Sequence, residues 1–277
     1  MAIVANTSKF SMYGRPVLAW IVGILFFFPI FYMVLTSFKT DADAVKPEYL
    51  VFFTPTLENY LNMTENYDYW RFAKNSVITA VFATAFTLVV GIPCAYAMAF
   101  NPSKATKDVL MWMLSTKMLP AAAVLYPMTF LTKSMGLFDT HFLIIIVLSL
   151  INLPIAIWML FTYFKEIPKD IIEAGQMDGV STMGEIKEIL VPLAWGGIAA
   201  TALLVFIFCW NEAYWTVRLT TTEAATLSKL IEGNRAPEGL FFGRLSAVST
   251  AAVGPIVVLG WFCQKQLVQG LTFGAVK

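Results

Sequence analysis

The sequence predicts an all-α membrane protein that crosses the bilayer six times. Three observations carry that expectation. Charged residues make up 13% of the chain, roughly half the share of a soluble domain. Apolar runs recur along it at about the 20 residues that a spanning helix needs. Between the fourth and fifth runs a single polar stretch, Lys165 to Pro192, gathers much of the scarce charge.

Residues 1–15 form a short polar tail, and the first span is expected over 16–38. That run exceeds the apolar core of about 7–15 residues in a signal peptide, so it reads as retained. Pro29 predicts a kink in it. A polar loop follows, in which Tyr67, Tyr69 and Trp70 suit an interfacial aromatic belt. The second span covers 72–100, with Asn75 and Ser76 at its start.

The third span, 109–131, carries Lys117, Pro120 and Pro127. A lysine centred in a span costs about 2.5–3.5 kcal/mol, so Lys117 either snorkels or faces a polar cavity. The prolines predict a distorted helix. The fourth span, 141–164, opens on His141 at the boundary and contains Asn152, which either bonds across helices or lines a path. In the fifth span, 193–215, Gly196, Gly197, Ala199, Ala200 and Ala202 permit close packing. It ends on Trp210, Asn211 and Glu212, the last being an interfacial acid or a substrate contact. A polar loop over 216–244, a sixth span over 245–263 and a tail over 264–277 complete the chain. Cys94, Cys209 and Cys263 fall in apolar runs without metal-ligand spacing and read as small packers.

Within 165–192, Ile171, Ile172, Ala174 and Met177 recur at helical spacing, with Lys169, Asp170, Glu173 and Asp178 between them. Pro168 suits the first turn and Gly179 the end of that helix. Ser181 is placed to cap a second short helix, with Glu185 near the capping-box position. Such a pair either lies in lipid headgroups or docks a protein, and its acids favour the protein, since membrane-surface helices carry excess Lys and Arg.

Glu173-Ala174-Gly175, three residues, Gly179, nine residues, then Ile189-Leu190-Val191-Pro192 resembles the loop motif of binding-protein-dependent ABC importer permeases. Gly175 stands where the second alanine is usual, and Val191 where leucine is. Thr36-Ser37-Phe38-Lys39, Thr56-Leu57-Glu58-Asn59-Tyr60 and the closing Gly270-Leu271-Thr272-Phe273-Gly274 extend the likeness to the maltose-type (MalG-like) carbohydrate permeases. Leu114 through Pro120, Cys209 through Ala213, Pro237-Glu238-Gly239-Leu240 and Leu245 through Thr250 resemble the mannitol/sorbitol branch.

The resemblance implies the type I ABC importer permease fold, set in the bacterial cytoplasmic (inner) membrane as a transmembrane domain over 16–263. The tails, 1–15 and 264–277, and the coupling loop, 165–192, would be cytosolic, and the 216–244 loop periplasmic. Lys and Arg divide about evenly between the two sides, so charge bias alone does not orient the chain. The implied partners are a second permease subunit in a heterodimer, two cytosolic ABC ATPase subunits, an external solute-binding protein and the lipid bilayer, with no nucleic acid. Glu173, Ala174, Gly175, Asp178 and Gly179 would form the coupling helix. Arg235, Pro237, Glu238 and Gly239 lie in the loop that would reach the binding protein. Candidates along the substrate path are Lys117, Asn152, Trp210, Asn211 and Glu212, and the implied cargo is a sugar alcohol, with a maltose-like sugar as the alternative.

The chain has no phosphate-cradling G-x-x-x-x-G-K-[ST] run. It is therefore read as a non-enzyme that binds no cofactor and no metal, with ATP and Mg held by the partner ATPase. A gradient-driven transporter would need paired intramembrane carboxylates or an inverted repeat of broken helices. A non-transporting scaffold or sensor would leave Lys117 and its prolines without a role.

Overall fold

The computed structural model of the chain describes residues 14–235 and 241–264, which are helices and connecting turns without a strand. It divides into two compact units, Met1–Asp68 with Gly233–Val253 and Tyr69–Glu232 with Gly254–Lys277.

In the first unit α1, Arg15–Ser37, is apolar along its length and continues through Pro29. Its C-terminal end is pinned by a polar knot. Lys39 is 1% exposed; its Nζ donates to the Leu50 carbonyl at 3.0 Å and lies 5.0 Å over the rings of Tyr32 and Phe53. Asn59, on the short α2, Glu58–Glu65, donates to the carbonyls of Ser37 and Lys39 at 3.0 and 2.6 Å. The buried Lys39 ammonium and Asn59 amide thus both have partners, as burial requires.

The second unit is built on α3, Tyr69–Phe100. It packs on a later long helix, His141–Phe164, through small residues. Ala80 and Ala83 are fully buried, and Ser149 Oγ donates to the Ala83 carbonyl at 3.1 Å. Small side chains let two backbones come close enough for such bonds where lipid offers no hydrophobic drive.

The stretch read as a third span is not one helix. It is α4, Thr106–Thr116, and α5, Ala121–Ser134, bent by 84°. Pro120 has no N–H to continue the ladder and disfavours the α region for the residue before it, and the first helix is capped at Lys117. After α6, His141–Phe164, comes α7, Lys169–Met177. The run read as the fifth span, 193–215, is helical as α8, Trp195–Asn211, and opens on a bend of 86° from the preceding segment, Thr182–Leu193. That segment includes a π-helical turn, Glu185–Leu190, and a last short turn, Val191–Leu193, that carries Pro192. The chain then forms α9, Tyr214–Leu219, α10, Leu227–Gly233, and α11, Phe242–Phe262. Among the described residues four helices are long and apolar enough to cross a membrane, or up to six if each bent pair is one span.

Candidate functional site

Two places in the second unit combine exposure with unusual chemistry. The first is α7. Pro168 sets its start and Asp170 its acidic first turn. Its end is a Schellman motif, in which the Val180 N–H donates to the Gly175 carbonyl and the Gly179 N–H to that of Gln176, both at 3.0 Å. Gly179 sits at φ 79°, a left-handed turn that suits glycine.

The two faces of α7 differ. Ile172 is buried in one core with Tyr96, Ala99, Leu160, Phe164, Ile186 and Leu190. Gly175 is buried beside it, and a Cβ there would lie 2.6 Å from Ile189 Cδ1. The missing methyl group therefore lets α7 seat closely on the π turn. On the opposite face Glu173, Ala174 and Asp178 are exposed, and Met177 is 88% exposed. Glu173 makes no ion pair among the described residues. The sequence set places Glu173, Ala174 and Asp178 outward, Gly175 inward and Gly179 at the turn.

The second place is a cavity of about 410 Å³ lined by Lys117, Thr116, Met128, Pro154, Glu212 and Trp215 among others. Lys117 lies in the break between α4 and α5, where its Nζ donates to the Ile151 carbonyl at 2.7 Å. The neighbouring Leu150 carbonyl lacks its usual donor, because Pro154 has no N–H. Glu212 Oε1 accepts the Trp215 N–H at 3.0 Å and so caps the start of α9. A cation and an anion 95 residues apart in the chain thus share one largely apolar wall. The other three candidates lie off it. Asn152, 2% exposed, donates to the Leu148 carbonyl and to Cys209 Sγ. Trp210 stacks on Phe206, and Asn211 donates to the Ile207 carbonyl.

The segment after α9 is tied to the helices by polar bonds. Asp139, in the turn before α6, accepts the N–H groups of Thr222, Glu223 and Ala224 at 2.9–3.1 Å and the hydroxyls of Thr221 and Thr222. Burial by itself pushes the Asp139 carboxyl up, but these donors outweigh it and hold the group well below the usual carboxylate range. A depressed native value means that the contribution is complete above the unfolded value near 4 and lost only as pH falls through the lower native one. Hydrogen-exchange protection of the Thr222, Glu223 and Ala224 amides is therefore expected to persist to about pH 4. In Asp139→Ala it should be lost at every pH. Unchanged protection in that variant would refute the anchor. Arg235 is exposed, whereas Pro237, Glu238 and Gly239 lie outside the described residues.

Sequence reasoning missed Glu185 as an interior group. Ser181 does cap its helix, accepting the Gly184 N–H, but Glu185 turns inward and accepts from Tyr96 Oη and Gln176 Nε2. Among the described residues no group of three or more His, Cys, Asp or Glu could hold a metal ion.

Residues 91–271 match the family described as binding-protein-dependent transport system inner membrane component. The chain belongs to that family. It is a membrane protein and a permease subunit of ABC transporter type, and its relatives are permeases rather than enzymes. The permease is 31% identical over 278 residues to the probable ABC transporter permease protein y4oR of Sinorhizobium fredii, covering 100% of both chains. It is 31% identical to the trehalose transport system permease protein SugB of Mycobacterium tuberculosis, over 90% of this chain and 92% of that one. With the trehalose/maltose transport system permease protein MalG of Thermococcus litoralis it shares 30% identity over 94% of each. Its fold is that of a type I ABC importer permease. A chain of a bacterial ABC transporter involved in the import of the acidic polysaccharide alginate superposes with a TM-score of 0.77, at 20% identity, over 96% of this chain and 100% of that one.

Proposed function

We propose that this chain is one of two permease subunits of an ATP-driven importer that carries a sugar alcohol of the mannitol or sorbitol class into the cell. The observation that carries the reading is the two-sidedness of α7. Its acidic face is exposed, while Ile172 and Gly175 lock its other side into the core of the membrane helices. That is the form of a lever, with one side presented to a partner and the other fixed to what must move. In this reading α7 docks on a cytosolic ATPase subunit, Glu173 pairs with a basic residue there, and ATP and Mg stay with that subunit. Both termini are cytosolic, and the 216–244 loop faces the solute-binding protein.

The cavity supports the cargo class. A polyol needs hydrogen-bonding groups and apolar faces together. Lys117 and Glu212 supply the first, while Met128, Pro154 and the Trp215 ring supply the second. The carbohydrates named for the relatives support a sugar-like solute. They leave the polyol assignment to the local likenesses around Lys117 and Glu212.

The test is the ATPase activity of the reconstituted assembly with its binding protein, adding mannitol, sorbitol or maltose in turn. Stimulation by one polyol is expected. Stimulation by maltose alone would overturn the polyol assignment and keep the mechanism. An assembly that purifies without an ATPase subunit would overturn the mechanism itself.

A further inference from the structure

Helix α3 carries a polar joint at each end. Near its C-terminal end Tyr96, 3% exposed, donates its hydroxyl to Glu185 Oε2, and the same oxygen accepts from Gln176 on α7 at 3.3 Å. Glu185 is 2% exposed. The π turn matters here: its wider winding brings Glu185 and Leu190, at i and i+5, to one buried face. At the opposite end of α3, Asn75 donates to the carbonyls of Glu223 and Ala225 at 2.8 and 2.9 Å. Ser76 Oγ accepts the Leu227 N–H at 2.9 Å, and Arg71 donates to the Thr222 carbonyl at 3.0 Å. Asn75 Oδ1 is itself paired with His141 Nε2 on α6.

We infer that α3 is a transmission rod, gripped at one end by the π turn after α7 through the Glu185–Tyr96 bond, to which Gln176 on α7 adds a bond of its own, and at the other by the 220–227 segment through Asn75. Apolar packing is non-directional. A hydrogen bond to a buried carboxylate adds a direction to it, because separating the partners leaves the acid unsatisfied in a low-dielectric interior. A displacement of α7 together with the π turn seated on it therefore carries Tyr96 with it. One continuous helix of 32 residues, about 48 Å at 1.5 Å per residue, passes that displacement to the segment held by Asn75. Glu185, Tyr96 and Asn75 are positioning residues; none needs to touch the solute. The inference rests on the docking of α7 and the outward placement of the 216–244 loop proposed above.

The test compares basal ATPase activity of the reconstituted assembly with its stimulation by solute-loaded binding protein. Tyr96→Phe, which removes only a hydroxyl, should leave basal hydrolysis within about twofold and cut stimulation about tenfold, the factor expected for one bond to a charged group. Asn75→Ala at the far end should do the same. Glu185→Gln keeps an acceptor for Tyr96 and should retain most of the stimulation. Full stimulation in both Tyr96→Phe and Asn75→Ala would overturn the rod. So would a fall of basal and stimulated rates in equal proportion, which marks a merely structural role. A wild-type assembly whose ATPase ignores the binding protein would instead overturn the proposed function, so the two failures are distinguishable.

Discussion

Glu173→Lys is expected to abolish uptake while leaving capture of solute by the external binding protein intact. The carboxylate is exposed on α7 and makes no ion pair among the described residues. Replacing it should therefore change folding stability by no more than about 0.5 kcal/mol. Across an interface the reversal acts differently. It removes an attraction and sets two cations against each other, and truncating a buried interfacial charge pair alone costs about 2–5 kcal/mol. The ATPase subunit should fall away on purification, and accumulation of labelled solute by proteoliposomes should drop to background. Normal uptake by the variant would remove Glu173 from the interface.

Gly197→Ala should be a strongly disruptive single-methyl change in the second unit. A Cβ at Gly197 would lie 2.4 Å from Tyr163 Cγ and 2.8 Å from both Cδ atoms. Cγ is the root of the ring rather than a flexible tip, so the ring cannot simply swing its end aside. Either α8 moves off α6 or Tyr163 leaves its rotamer, and overpacking of this kind costs about 1–3 kcal/mol. Valine at the same place should cost more. Gly175→Ala is the useful contrast, because the atom it meets, Ile189 Cδ1, ends a flexible chain. The gain in helix propensity, about 1 kcal/mol, should offset much of that contact. Thermal unfolding of the detergent-solubilised assembly would rank the two. Shortening the facing side chain, Tyr163→Ala, should relieve part of the Gly197→Ala loss, and failure to do so would place the clash elsewhere.

Much of the architecture is written in the apolar runs. Helices α1, α3, α6 and α11 follow from length and composition, because a membrane leaves a backbone few other ways to satisfy its own polar groups. The bends were only half legible. Pro120 announces that a helix stops there, but the 84° turn that follows depends on what α4 and α5 pack against. Local residues do not encode that. The π turn was invisible for a similar reason. Its first residue, Glu185, meets Tyr96, a partner 89 residues away, whereas spacing alone suggested a capping role. At α7 the helix, its start at Pro168 and the turn at Gly179 were legible, but of the apolar stripe Ile171, Ile172, Ala174 and Met177 only Ile172 is buried. The helix seats on Ile172 and Gly175, a contact that spacing alone does not encode. The cavity was harder. Lys117 and Glu212 stood out as charges near apolar runs, and the structure brings them to one wall. Asn152, Trp210 and Asn211 looked equivalent in sequence but turn to neighbours on their own and adjacent helices. Whether a mid-helix polar side chain satisfies itself locally or faces a void is a tertiary question.

The burial of Ile172 against Tyr96, Leu160 and Phe164 also has a bearing on biogenesis. Helix α7 has nine residues, fewer than the roughly 12–15 at which an isolated helix becomes even marginal in water. Its shape therefore depends on surfaces supplied by α3 and α6. A newly inserted chain in which those two helices have not yet met would offer a soluble subunit no ordered ridge to grasp. Recruitment of that subunit would thus be deferred until the membrane-embedded part has matured. In the proposed assembly, the apolar seat that orders α7 would serve during construction as a checkpoint, keeping nucleotide hydrolysis away from immature intermediates.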